Sequence, residues 1–177
     1  MKFTPTKIDG VFIIELSPHK DQRGYFSRSF CANEFKKRGL DYNMVQSNIS
    51  FSKEKYTLRG MHFQENGHEE AKLVRCIKGK IIDTVIDLRP NSPSYCHHFS
   101  IELNEDELKL LYVPKFFAHG FITLEKNTEV LYQVSNFYNT ENESGIRWND
   151  PLFNIKWPTK NPILSIKDSN HTNYTKK

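Results

Sequence analysis

A chain of 177 residues sets one domain of ordinary size, with enough length for a sizeable core. Its net charge of +4 suits an anionic small ligand as well as nucleic acid, but no basic run favours the latter. Three cysteines without CxxC spacing argue against a disulfide framework or zinc knuckle, and no stretch reaches the ~20 apolar residues of a membrane span, so a soluble cytoplasmic protein is expected.

The aromatic content, 13 Phe and 8 Tyr, favours β structure. Residues 11–16, VFIIEL, read as a short strand ended by Ser17-Pro18. Asp21 to Gly24 reads as a turn, and Tyr25 to Phe30 as an alternating strand. Arg23 offers a guanidinium for phosphate and Phe26 a ring for a base, although a solvated loop arginine and a core phenylalanine are the plainer roles. Residues 33–38 suggest a short helix capped by Asn33 and stopped by Gly39. MVQSNISFS, residues 44–52, is a strand that places Gln46, Asn48 and Ser50 on one face.

LRGMHFQ, residues 58–64, puts His62 on the face of Gly60 and Gln64, with Met61 and Phe63 opposite. Gly60 is expected to leave open space beside the imidazole. Residues 72–88 predict a hairpin about Lys78-Gly79, with Val74 opposite Asp83 and Lys72 opposite Val85. Lys72 and Asp83 then lie diagonally on an apolar face, within reach of each other. Residues 94–103 form another strand, in which His97 and His98 point to opposite faces and so do not share a metal. No His-x-His pair occurs and no Glu follows His62 at cupin-like spacing, which argues against a catalytic metal.

Asn104 with Glu107 suggests a capped helical turn. Residues 117–136 predict a second hairpin, turning near Lys126-Asn127, with His119, Phe121 and Tyr132 on one face. Residues 137–151 are a loop, Ser165 to Asp168 resemble a helix start, and the last residues, HTNYTKK, are expected to fray. Buried Tyr and His more often complete internal hydrogen bonds than do chemistry. Here His62, His119, Tyr132 and Lys72 converge on inward faces, which suggests a barrel with a polar pocket.

Nine phrases occur in order: DQRGYF (21–26), QSN (46–48), LRGMHFQ (58–64), KLVRCIKGKIIDTVIDLR (72–89), VPKFFAHGF (113–121), LYQVSNFY (131–138), RWNDP (147–151), IKWP (155–158) and LSIKD (164–168). Together they make the chain resemble the dTDP-4-dehydrorhamnose 3,5-epimerase family from about residue 8 to residue 169. The resemblance implies a mainly β fold, a cupin-type double-stranded β-helix (jelly-roll) barrel with short helices. It implies one domain over residues 1–177, a C-terminal tail from about residue 159, and a homodimer with exchanged N-terminal strands. The implied substrate is a nucleotide-diphosphate 4-keto-6-deoxy sugar, with no cofactor, metal, nucleic acid or membrane as partner.

By the same resemblance His62 is the general base, Asp168 orients it, Lys72 lies beside the developing enolate, Tyr132 is the general acid, and His119 is a second pocket histidine. Arg59 falls at a sugar or diphosphate contact, and Arg23, Phe26, Gln46, Asn48, Tyr138 and Glu143 fall at nucleotide-side positions. The chemistry is coherent. A C4 ketone acidifies the protons on C3 and C5. Imidazole changes protonation state near neutral pH, as a base should. A fixed cation stabilises charge building on the C4 oxygen. One departure is Ser27-Arg28, where the family often carries an acid near the base. It keeps GDP- or CDP-linked sugars as alternatives, and a C3-only or C5-only epimerase or a ketoisomerase on such a sugar is the second reading. A non-catalytic sugar-binding cupin is the third reading.

Overall fold

The computed structural model describes residues 1–176. The chain begins with β1 (Lys2–Pro5), β2 (Phe12–Glu15), a small ribbon of β3 (His19–Asp21) and β4 (Gly24–Phe26), and α1 (Ala32–Lys36). There follow β5 (Gln46–Ser52), β6 (Leu58–Gln64), β7 (Lys72–Lys78), β8 (Lys80–Asp87), β9 (His98–Asn104) and β10 (Lys109–Val113). The last elements are β11 (Phe117–Thr123), β12 (Thr128–Val134), β13 (Glu143–Gly145) and α2 (Ile166–Ser169).

The strands form two facing sheets, a six-stranded one in the order β1-β2-β10-β7-β12-β5 and a five-stranded one in the order β13-β6-β11-β8-β9. This is the cupin-type sandwich that the resemblance implies. Both expected hairpins are corrected. β7 and β8 do not pair: the turn at Gly79, with φ +75°, carries the chain from one sheet to the other. β11 and β12 also lie in different sheets, joined through Asn127 at φ +54°. Side-chain alternation survives this error, because two strands that face each other across a sandwich bury the same alternate residues as two paired strands. Val74, Cys76 and Val130 of one sheet pack against Ile81, Val85, Phe117 and Phe121 of the other.

Each sheet also has a covered outer face. Phe35 of α1 is fully buried against Leu73, Leu110 and Tyr112, so β7 is apolar on both sides. On the other side Met61, Ile86 and Ala118 are covered by Ile146, Phe153 and the ring of Tyr174. The expected fraying of the C-terminus is therefore corrected for residues 171–174, while Lys177 lies outside the described residues. Arg147 donates its amide to the Thr172 carbonyl, and the Tyr174 amide donates to Asp150 Oδ2 at 2.6 Å. These are bonds between distant segments, invisible to a local reading of a polar tail.

Smaller corrections follow from the same distinction. β1 is a strand only because β2 pairs with it; the sequence reading passed over it. Tyr25 to Phe30 is not a continuous strand, since β4 ends at Phe26. Asn33 lies inside α1, whose cap is Cys31 without a side-chain hydrogen bond. Asn104 Oδ1 does accept from the Glu107 amide at 2.8 Å, but it closes a turn, and β10 starts two residues later. Among the described residues no helix is long and apolar enough to cross a membrane.

Candidate active site

Two adjoining lobes of about 280 and 310 Å³ open between the sheets and share His62, Lys72, Tyr132 and Glu143. Cross-strand register explains the assembly. Gln46, Val134 and Lys72 form one row across β5, β12 and β7, and Asn48, Tyr132 and Val74 form the next. On the opposite sheet Gly145, His62, His119 and Val85 form a row across β13, β6, β11 and β8. Tyr132 and Lys72 thus come from one wall and the two histidines from the other.

Gly60 does not leave the open space expected of it. It has φ +121°, and a Cβ there would lie 2.6 Å from the Gly120 Cα and 2.8 Å from the His119 carbonyl oxygen. Its role is to let β6 and β11 approach, beside a register shift between His119 and Phe121.

Asp168 reaches His62 from α2. The segment before α2 is zipped to the start of β6, where Leu58 donates to the Ile163 carbonyl and Ile163 donates to that of Tyr56. Ser165 caps α2, its Oγ accepting from the Asp168 amide at 3.0 Å. Asp168 Oδ1 then lies 2.5 Å from His62 Nε2 with only 4% of the residue exposed. Burial pushes the Asp168 carboxyl up, but the bonds from His62 and Ser165 and the nearby imidazole charge outweigh it and hold it below its ordinary value. An ionised carboxylate on Nε2 fixes the tautomer and leaves the other ring nitrogen to act as base.

Lys72 is not partnered by Asp83, as the hairpin register had implied. Its Nζ lies 3.0 Å from Glu70 Oε1, two residues back in the loop before β7. Glu70 also accepts from Gln64 Nε2 at 2.5 Å, so the ammonium is held in place from behind. Asp83 instead meets His119, whose Nε2 lies 2.9 Å from Oδ1, a diagonal cross-strand contact. Burial first, and then the charge of Glu70, raise the Tyr132 phenol above its ordinary value. Tyr132 therefore stays protonated at neutral pH.

At the mouth Glu143 accepts from the Tyr138 hydroxyl and from Lys167 Nζ. Burial pushes the Glu143 carboxyl up, but these two partners bring it below its ordinary value. Gln46 Nε2 donates to Asn48 Oδ1 at 2.9 Å, and Arg59 is anchored by Phe51, whose carbonyl accepts from its guanidinium at 2.9 Å. Arg23 and Phe26 are not brought to this pocket. They sit on the β3–β4 ribbon, Arg23 paired with Asp21 at 2.6 Å and Phe26 74% exposed. Arg28 is not a free cation, since it faces Glu34 at 3.4 Å. Glu70, Ser165 and Lys167 were missed as site residues. Glu70 lies in the loop just before β7, so its pairing with Lys72 needed the path of that loop, and Lys167 and Ser165 needed the placement of α2.

Residues 5–176 match the family model described as dTDP-4-dehydrorhamnose 3,5-epimerase. A dTDP-4-dehydrorhamnose 3,5-epimerase of Shigella flexneri is 39% identical over 171 residues, covering 96% of this chain and 94% of that protein. The crystal structure of the enzyme of that name from Elizabethkingia anophelis superposes with a TM-score of 0.95 at 37% identity, over 98% of this chain and 96% of that one. A dTDP-6-deoxy-D-glucose-3,5-epimerase of Legionella pneumophila, solved in complex with dTDP-4-keto-L-rhamnose, gives a TM-score of 0.91 at 33% identity, over 97% of this chain and 92% of that one. Matched by the family model over nearly its whole length, and alike in sequence and in fold to these proteins, the chain belongs to the dTDP-4-dehydrorhamnose 3,5-epimerase family.

Proposed function

We propose that the chain inverts C3 and C5 of a dTDP-linked 4-keto-6-deoxy sugar, of the dTDP-4-dehydro-6-deoxyglucose to dTDP-4-dehydrorhamnose type. The observation that carries this is the His62–Asp168 pair on one sheet facing Tyr132 and Lys72 on the other. His62 takes the proton from carbon, the electron pair of the C–H bond moves toward the C4 oxygen, and Lys72⁺ stabilises the enolate. Tyr132 returns a proton from the opposite face and recovers its own from solvent. Each inversion is two proton transfers, and His62 releases the proton it has taken to solvent before the second, so the reaction balances without oxidant or reductant. The bound product named for the Legionella pneumophila enzyme supports this substrate class. Gln46, Asn48, Arg59, Tyr138 and Glu143 are the polar groups proposed for the sugar and nucleotide, with His119, oriented by Asp83, beside the sugar. The pairing of Arg28 with Glu34 supports the thymidine nucleotide by offsetting the charge that had put thymine in question.

The test is proton wash-out in D₂O with dTDP-4-keto-6-deoxyglucose, followed by NMR. Both C3-H and C5-H signals disappear and the inverted sugar accumulates. Loss of one signal alone identifies a single-centre epimerase, and loss of neither removes the reading. In Tyr132→Phe, inversion slows by about 10²–10⁴-fold while exchange with retention continues through His62. Equal loss of exchange and inversion would show that Tyr132 is not the opposite-face acid.

We also propose a cytoplasmic homodimer. All three cysteines are free, as expected of that compartment. Arg23 and Phe26 stand on a ribbon turned away from this chain's own pocket, while Ile49 and Phe51 are exposed on β5, an edge strand. A partner subunit's pocket is the proposed destination of the ribbon. Arg23→Ala raises KM with little change in kcat and leaves the sedimentation coefficient that of a dimer. Mixed with inactive His62→Asn chains, it forms hybrid dimers with one fully equipped site. A monomer in sedimentation, or no effect on KM, would reject this arrangement.

A further inference from the structure

The C-terminal segment brings to His62 a second imidazole that the proposed proton transfers do not use. His171 Nε2 lies 3.7 Å from Asp168 Oδ1, and its ring meets that of His62 edge-on with centroids 5.8 Å apart. The ring occupies space over Gly145, where a Cβ would come within 2.2 Å of Nε2. That nitrogen is buried and has no hydrogen-bond partner. Buried polar atoms without partners are rare and call for an explanation. One donor atom each from His62, Asp168 and His171 lies within 4.8 Å of the others.

We propose that His62, Asp168 and His171 form a binding site for a divalent transition metal, Zn²⁺ above all, whose occupancy inhibits the enzyme by taking the base. Two imidazoles and one carboxylate are a zinc-type donor set, and two of the three residues, His62 and Asp168, line the pocket. Tetrahedral zinc, with metal–donor bonds of about 2.0–2.1 Å, places its donors about 3.4 Å apart. The Asp168–His171 separation of 3.7 Å is already close to this. The His62–Asp168 pair, at 2.5 Å, opens by about an ångström as the shared proton gives way to the metal. The charges around the site can offset the added cation: Glu143 is a further carboxylate at the pocket, and the two lysines that line it are each paired, Lys167 with Glu143 and Lys72 with Glu70. Mg²⁺, which prefers oxygen ligands, does not bind here.

Calorimetry with Zn²⁺ and visible spectroscopy with Co²⁺ test the site on the full chain without reference to turnover. They stay informative if the proposed epimerisation fails. The expected result is one Zn²⁺ per chain, tetrahedral Co²⁺ bands, shifts of the His62 and His171 ring nitrogens in NMR, and no response to Mg²⁺. Where turnover is measured, it falls with zinc occupancy and returns with chelator. His171→Asn keeps its metal-free turnover, loses the inhibition and binds zinc at least about 100-fold more weakly, since loss of an outer-shell partner alone costs about 10–100-fold. If that variant melts early, the ring-nitrogen shifts of the unaltered protein carry the test. Zinc bound equally well by His171→Asn, ring nitrogens unmoved by zinc, or full turnover with the site occupied would each overturn the proposal.

Discussion

Replacing His62 by Asn lowers kcat by about 10³–10⁴-fold, at the upper end of what a general base contributes. The amide preserves much of the shape of imidazole and still offers Asp168 an N–H, so the pocket and α2 keep their places. It has no lone pair basic enough to take a proton from carbon. Because Lys72 remains fixed by Glu70 and the mouth groups are untouched, KM changes little. Steady-state kinetics and wash-out in D₂O check this together. The decisive signature is simultaneous loss of exchange at C3 and C5, since one base on one face is proposed to serve both carbons. Exchange surviving at either carbon would mean that a second group, with His119 the nearest candidate, takes that proton.

The largest effect on stability is expected at Gly60. Gly60→Ala drives a methyl group to 2.6 Å from the Gly120 Cα and 2.8 Å from the His119 carbonyl oxygen, both backbone atoms that cannot turn aside. The position also sits at φ +121°, which non-glycine residues rarely adopt. Overpacking costs about 1–3 kcal/mol and strain at such a φ adds about 1–3 kcal/mol, against a total stability of about 5–15 kcal/mol. At about 2–4 °C per kcal/mol for a chain of this size, Tm falls by roughly 5–20 °C. Gly67→Ala is the matched control: φ is +85°, but nothing lies within 4 Å of the added carbon, so only the conformational cost remains. Equal Tm losses in the two variants would show that the β6–β11 approach is not under steric constraint. Because the displaced backbone carries His119 and pairs with His62, activity is expected to fall with stability in Gly60→Ala.

Alternation with period two is a local property of an extended chain. It placed His62, Lys72, His119 and Tyr132 inward, and the structure agrees, even though both assumed hairpins are absent. The Lys78-Gly79 and Lys126-Asn127 turns were legible as reversals of direction. A turn residue sets only the local φ, however. Whether the next strand pairs with the last or crosses to the facing sheet depends on which apolar surfaces remain to be covered. That choice belongs to the whole sandwich. It decided that Lys72 meets Glu70 and that Asp83 meets His119, not each other.

The sequence by itself determined the β class, the inward set of proton-carrying side chains, and the motifs that marked the family. Each depends on neighbours along the chain. The tertiary structure decided the partners: β1 formed against β2, Asp168 set on His62 by the zipping of residues 56–58 against Ile163, and a polar C-terminal segment held down by Arg147 and Asp150 so that His171 stands beside His62. It also left Arg23 and Phe26 outside the pocket of their own chain. These contacts join residues far apart in sequence, and their free energy exists only once both segments have been brought together. No local pattern of hydropathy or turn residues encodes them.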